Sequence, residues 1–240
     1  MTTKRPIGAL LCRFATGKAD LLACQALRHQ AFFGTDGCDA DRFDPLCKHL
    51  MIERDGALVC TLRLRVFGAG EALTESYTGR FYDLSHMQGP AIELGRFCLR
   101  DRGGQADVMR LALSEITRLV DETKADFLFG CTSFSGNDPA LYSEAFACLA
   151  AHYQGPADRI PVARDAAIAL PHAPFDLLVA LRQMPKLLRS YLGMHGWVGD
   201  AVVIDARLQT MHVFTRLDVG AVPEARAMAL RNSLIAGQQA

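Results

Sequence analysis

The stretch Ala91-Ile92-Glu93-Leu94-Gly95-Arg96-Phe97-Cys98-Leu99 decides the fold. It reads as a β-strand, in which strict alternation would send Glu93 and Arg96 to opposite faces. A glycine inside a strand marks a bulge or a close backbone approach, so Gly95 is expected to interrupt the alternation. A bulge there brings both charges to one face and leaves a backbone N–H unpaired. A structural ion pair between Glu93 and Arg96 would account for the same residues.

Downstream, Arg100-Asp101-Arg102-Gly103-Gly104-Gln105 leads into a helix from about Asp107 to Lys124, whose inner stripe is Met109, Ala112, Leu113, Ile116, Leu119 and Val120. A glycine turn that opens a helix can hold an anion on free N–H groups, which marks Arg100, Gly103 and Gly104. The same Gly-Gly also serves as an ordinary connection. Phe127 to Ser133 reads as a buried strand, and Asp138 with Pro139 starts a helix running to about His152. Cys131 stands two residues before Ser133, where a nucleophile elbow needs glycine, so a serine hydrolase is excluded.

Upstream, Lys48–Glu53 and Ala57–Phe67 flank Arg54-Asp55-Gly56, a strong hairpin signal. In the second strand Thr61, Arg63 and Arg65 share the face opposite Leu58, Cys60, Leu62, Leu64 and Val66. Two neighbouring arginines there must meet water or an anion. Gly34–Asp44, with aspartates at 36, 39, 41 and 44, is turn chemistry and reads as a loop, ordered or acting as a lid. Before it come a strand over Ile7–Thr16 and a helix over Asp20–Phe33, with Cys24, Leu27 and Ala31 facing inward. Arg28 sits at the edge of that stripe, where snorkelling and a role in a site are both open.

After Pro156 the chain is rich in proline and alanine to Pro174, with one short strand around Ala166–Leu170. A helix over Phe175–His195, kinked before Pro185, carries Arg182, Lys186 and Arg189 at helical spacing. This basic patch reads as a docking face for an acidic partner, or as a solvated face over a leucine stripe. Strands at Ala201–Asp205 and Thr210–Leu217 and a tail helix from Pro223 follow.

The chain has 240 residues, half of them apolar, enough for a large core. Its 26 basic and 26 acidic side chains cancel, so no global field draws it to nucleic acid. Eight cysteines without repeated spacing, and no charged-then-apolar leader, are expected to be reduced core thiols in a cytoplasmic protein. No metal is expected, since Cys47 with His49 makes only a pair. No apolar run is long enough to span a bilayer, although surface contact stays open. The order of elements predicts an α/β fold with a mixed sheet and helices on both faces.

Leu27-Arg28-His29-Gln30-Ala31-Phe32, Phe43-Asp44 with Cys47-Lys48-His49-Leu50, Thr61-Leu62-Arg63-Leu64, Glu93-Leu94-Gly95-Arg96 and Phe129-Gly130-Cys131-Thr132-Ser133-Phe134 occur in that order. Together they resemble the ornithine-lipid biosynthesis N-acyltransferases, which have the GNAT fold and are related to acyl-homoserine-lactone synthases. Leu187-Leu188-Arg189-Ser190-Tyr191-Leu192 and Gly196-Trp197-Val198-Gly199-Asp200 resemble that family's C-terminal region. The resemblance implies one GNAT-like domain over 1–240, with a core of about 7–155 and a C-terminal helical and strand extension over 156–240.

It further implies transfer of a 3-hydroxyacyl chain from acyl carrier protein to the α-amine of an amino acid, with no tightly bound cofactor. Ornithine is the first expected acceptor. Glutamine is the second, because Lys48 stands where relatives tend to have an acid. In direct transfer the protein must take a proton from an ammonium, hold an oxyanion and orient both substrates. On this reading Glu93 is the base, and the Gly95 N–H faces the thioester oxygen. Arg28, Asp44, His49, Arg63 and Arg96 bind substrate or brace Glu93, and Arg182, Lys186 and Arg189 meet carrier protein or the inner face of the membrane. Three other readings stand beside it: a covalent Cys131–His49 mechanism, a signal synthase of the acyl-homoserine-lactone type, and a non-enzymatic module that docks carrier protein.

Overall fold

The Asp55-Gly56 signal is realised as a two-residue hairpin. Both residues take positive φ, 50° and 78°, and Arg54 faces Ala57 across it. That left-handed pair matches the twist of the flanking strands. The computed structural model describes residues 5–7, 10–100, 105–164 and 167–236. Its strands are β1 (Arg5–Ile7), β2 (Leu10–Phe14), β3 (Lys48–Arg54), β4 (Ala57–Phe67), β5 (Ala91–Leu99), β6 (Phe127–Ser135), β7 (Ala167–Ala169), β8 (Trp197–Asp205) and β9 (Thr210–Asp218). Its α-helices are α1 (Lys18–Phe33), α2 (Gln105–Thr123), α3 (Ser143–His152), α4 (Leu177–Gln183), α5 (Lys186–Leu192) and α6 (Glu224–Ala236). The α/β class expected from the order of elements is the class observed.

The chain folds as two compact units, and β5 passes from one to the other. Residues 1–66, 94–124 and 224–240 form the first; residues 67–93 and 125–223 form the second. In the first unit β1, β2, β3 and β4 pair antiparallel in chain order. The strand expected over 7–16 is thus split, with β1 paired back onto β2. α1 packs on β3, and α2 packs on β2, β3 and α6. α1 turns Cys24, Gln25, Leu27 and Arg28 inward. Ala31, expected on that stripe, is exposed, because the helix is rotated to bury Arg28 and Gln25 instead.

In the second unit β6 pairs with β9 along its whole length, β9 with β8, and β8 with β7, all antiparallel. The C-terminal part of the chain therefore supplies three of this unit's strands. Phe134, Phe146, Leu149, Leu188, Val198, Met211 and Val213 make a dry core between that sheet and α3, α4 and α5. Two expectations are corrected here. The helix from Asp138 begins as a 3-10 turn over Pro139–Tyr142, with Asp138 capping the Ala140 N–H at 3.0 Å. The helix over 175–195 is two short helices, because Met184 before Pro185 is held extended at ψ 135°.

Of the eight cysteines, Cys12, Cys24, Cys60, Cys98 and Cys148 are buried, whereas Cys38 is exposed. Burial pushes the Cys60 and Cys98 thiols up, away from nucleophilic thiolate.

Gly155 shows how tightly the second unit is built. Its N–H donates to the Val198 carbonyl at 2.9 Å, and a Cβ there would lie 2.2 Å from Trp197 Cε3. Trp197 has little freedom to yield, since Arg159 and Arg216 stack over its ring. Gly155→Ala is expected to lower unfolding stability by about 1–3 kcal/mol, read from urea denaturation, as overpacking of a rigid site does.

Candidate active site

Arg28 and Gln25 from α1, Arg63 from β4 and Arg96 from β5 converge on the loop after α1, whose aspartates face inward. The Arg28 guanidinium forks onto Asp44 with two bonds of 2.9 Å, and its Nε donates to Asp39 Oδ2 at 3.0 Å. Arg96 Nε reaches the same Asp39 oxygen at 2.9 Å, and its Nη2 reaches Asp41 at 3.2 Å. Arg63 Nη1 closes the circuit, donating to Asp41 at 2.6 Å and to Asp44 at 2.9 Å. The result is a ring of alternating charge: Arg28, Asp39, Arg96, Asp41, Arg63, Asp44 and back to Arg28. Gln25 adds a bond to Asp44 at 2.8 Å, and Arg28 also donates to the Asp39 carbonyl.

Three cations balance three anions here, and Arg28 has 0% of its surface exposed. Arg28 therefore does not snorkel, because its partners come to it in the interior. Burial alone would raise the Asp44 carboxyl. Its bonds from Arg28, Gln25 and Arg63 overcome that and hold it far below the usual carboxylate range. The face of β4 that had to meet water or an anion meets carboxylates of its own chain. The loop over 34–44, read as ordered or acting as a lid, is the ordered kind at Asp39, Asp41 and Asp44, which are tied down by buried ion pairs.

His49, on β3, donates from Nε2 to the Asp44 carbonyl at 3.1 Å. Burial lowers its pKa, and Nδ1 is a buried nitrogen with no hydrogen-bond partner among the described residues. Lys48 points the other way into solvent, its ammonium 5.7 Å from the centre of the Phe14 ring.

Glu93 belongs to the second unit. Its Oε1 accepts the Thr78 N–H at 2.6 Å and the Thr78 hydroxyl at 2.7 Å, and its Oε2 accepts the Tyr77 N–H at 3.2 Å. These donors belong to a short 3-10 turn over Thr78–Arg80, and the Cys131 thiol reaches the Thr78 hydroxyl at 3.8 Å. The Tyr77 hydroxyl donates to Asp205, and the Tyr82 hydroxyl meets His212 Nδ1 at 3.2 Å. Burial takes His212 down to about 4, so it stays neutral at physiological pH. Thr78, Tyr77 and Asp205 escaped sequence reasoning: 15 residues separate Thr78 from Glu93, and 128 separate Tyr77 from Asp205.

The interruption expected at Gly95 falls one residue later, where Arg96 takes φ 55°. A non-glycine residue in that region is held by its surroundings, and here the side chain is bonded to Asp39 and Asp41. Among the described residues no atom lies within 4 Å of where a Gly95 Cβ would stand. Arg100 is exposed, its N–H bonded to the Val59 carbonyl at 2.8 Å. Gly103 and Gly104 lie outside the described residues. Arg182, Lys186 and Arg189 are all exposed, but they span α4 and α5 instead of one helix, because Pro185 separates them.

The class of this protein is a GNAT N-acyltransferase. The family model described as an acetyltransferase (GNAT) domain matches residues 25–114, which include the whole charge ring and Glu93. The fold is similar to that of FeeM, an N-acyl amino acid synthase from uncultured soil microbes, at a TM-score of 0.53 and 10% identity, covering 88% of this chain and 92% of that one. TofI in its apo form aligns at a TM-score of 0.51 and 16% identity, over 93% of this chain and 95% of that one. The L-ornithine N(alpha)-acyltransferase of Brucella abortus (strain 2308) is 30% identical over 89% of this chain and 85% of its own length. The protein of the same name from Rhodobacter capsulatus is 29% identical over 88% of this chain and 91% of its own. The chain belongs to the L-ornithine N(alpha)-acyltransferase family.

The ring makes a direct prediction. Arg28→Ala leaves Asp39 and Asp44 short of a buried counter-charge and is expected to cost about 3–5 kcal/mol of unfolding stability. Arg28→Lys should recover little of it, since an ammonium cannot fork onto a carboxylate. The Asp44 carboxyl is depressed on folding, so its contribution is complete above the unfolded value of 3.8 and is lost as pH falls below it. Stability measured against pH should therefore fall on the acid side in the parent, with a shallower slope in Asp44→Asn.

Proposed function

We propose that the chain transfers a 3-hydroxyacyl group from acyl carrier protein to the α-amine of ornithine, giving a lyso-ornithine lipid. The observation that carries this reading is near full-length similarity to relatives named for acylation of ornithine at Nα. On this reading 1–240 acts as one acyltransferase domain with no tightly bound cofactor, and its location is the cytoplasm.

The reaction needs the α-ammonium to lose a proton before nitrogen attacks the thioester carbonyl. Glu93 is the proposed base. A carboxylate offers about four acceptor positions, and the three bonds from Tyr77 and Thr78 leave one, on Oε2, for the incoming proton. Those same donors fix the direction in which that oxygen looks. The Gly95 N–H, two residues along the same strand, is the proposed donor to the oxyanion. Collapse of the tetrahedral intermediate expels the carrier-protein thiol, which takes the second proton. No covalent enzyme intermediate is required.

Arg28, Arg63, Arg96 and Asp44 enter as positioning residues. Their charges are spent on one another, and the ring holds the backbone at Gly95 and Arg96. His49 braces the Asp44 carbonyl in the same assembly. Ornithine ranks ahead of glutamine because Lys48, whose charge would oppose a second ammonium, stands in solvent.

Incubation with 3-hydroxyacyl carrier protein and a panel of amino acids, followed by mass spectrometry, tests the whole reading. An acylated ornithine is the expected product, and its absence with every acceptor overturns it. Glu93→Gln should lower kcat by about a hundredfold or more, the usual size of a lost general base. Its cost in folding stability should be about 1–3 kcal/mol, because the amide can satisfy only part of the 77–78 turn. Parent-like turnover in that folded variant would remove Glu93 from the chemistry. Gly95→Ala should fold normally, since among the described residues nothing lies within 4 Å of its Cβ, yet lower kcat/KM by about tenfold or more if the acyl donor lies against this backbone.

A further inference from the structure

We infer that the outer face of α4 and α5 docks on an anionic lipid bilayer. Leu177 and Leu178, in the first turn of α4, are 52% and 64% exposed. Leu178 is exposed because the inward side of this helix is already chosen, while Leu177 is the residue that opens the helix. Ala180, Met184 and Leu188 are buried in the second unit's core, which turns Leu178 and, one turn on, Arg182 to the opposite side. Lys186, two residues before buried Leu188, is exposed on the outer side of α5, and Arg189 is exposed beside it.

Leu141, 62% exposed, belongs to the same corner. Glu144, three residues after it, accepts the Asp176 N–H at 2.6 Å and so holds the start of α4 against the start of α3. Two acids share this corner: Glu144, and Asp176, which caps α4 by accepting the Val179 N–H at 3.0 Å, and the three cations outnumber them. Side-by-side leucines in water fringed by three cations are the composition of a helix that lies in a membrane interface. Neither helix could do more, since among the described residues no helix is long and apolar enough to cross a membrane.

An acidic protein surface would answer the cations but would leave the adjacent leucines against a polar partner. Anionic headgroups over acyl chains satisfy both. This inference rests on the proposed function in one respect: a single-chain lipid product leaves the enzyme for a bilayer, and an enzyme already on that surface releases it there.

The test is sedimentation of the full chain with vesicles of phosphatidylcholine, alone or mixed with phosphatidylglycerol. The parent is expected to bind the mixed vesicles and to bind more weakly as salt rises. Arg182→Gln, Lys186→Gln and Arg189→Gln together should weaken that binding on the order of a hundredfold, about fivefold for each charge. Leu177→Ser with Leu178→Ser should abolish the part that survives high salt. Equal binding to both vesicle types, or parent-like binding by either variant, overturns the inference. So does a charge variant that loses affinity for carrier protein in a titration while still binding vesicles. Acyl transfer from soluble acyl carrier protein, measured alongside, is expected to be unchanged in the leucine variant. A parent that binds vesicles but acylates no amino acid would refute the proposed function and leave the docking face standing.

Discussion

Three guanidiniums and three carboxylates closed into a ring, within a largely apolar interior, are the constraint on which this protein depends. None of the six could be buried alone, since an unpaired charge in such an interior costs several kcal/mol. Each neutralises two neighbours, so the ring forms together or is lost together. It joins a helix, a loop and two strands that are far apart in the chain: Arg28 on α1, Asp39, Asp41 and Asp44 after it, Arg63 on β4 and Arg96 on β5. A hydrophobic contact tolerates sliding, but a fork of Arg28 on Asp44 does not. The ring therefore fixes backbone geometry as well as supplying attraction, and the unusual φ of Arg96 is one consequence.

The second unit solves a different problem. Among the described residues Glu93 is a buried carboxylate with no salt-bridge partner, and it is held by N–H and O–H donors at Tyr77 and Thr78. Neutral donors orient a carboxylate without pairing its charge. A guanidinium fork in the same place would occupy both oxygens. The two units thus hold buried carboxylates in two ways: guanidinium ion pairs around Asp39, Asp41 and Asp44, and N–H and O–H donors around Glu93.

Proline and glycine set the finer geometry of the second unit. Pro185 breaks a basic apolar segment into α4 and α5, and the break turns Leu178 and Arg182 outward while Met184 and Leu188 fill the core. Gly155 allows the chain after α3 to pass against the Trp197 ring on β8. The resemblance at Gly196-Trp197-Val198 thus has a packing reason: Val198 is bonded both ways to the segment Tyr153–Gly155.

The sequence by itself determined the α/β class, the hairpin at Asp55-Gly56, the interruption near Gly95 and the residue types that matter. Each of these is local: periodicity, a turn dipeptide or a short motif specifies it within a few residues. It also marked Arg28, Arg63, Arg96, Asp44 and Glu93, through polar residues in apolar runs and their resemblance to one family. What each of them touches was decided only by tertiary structure. Alternation along β4 offered Arg63 water or an anion, and no periodicity can say that the anion is Asp41, 22 residues earlier. Glu93 read as a partner for Arg96 because they are three residues apart. The fold instead gives Arg96 to Asp39 and Asp41 and Glu93 to a turn 15 residues before it. Electrostatic partners are chosen by distance in space, and the chain order that makes strands and helices legible carries no record of that distance.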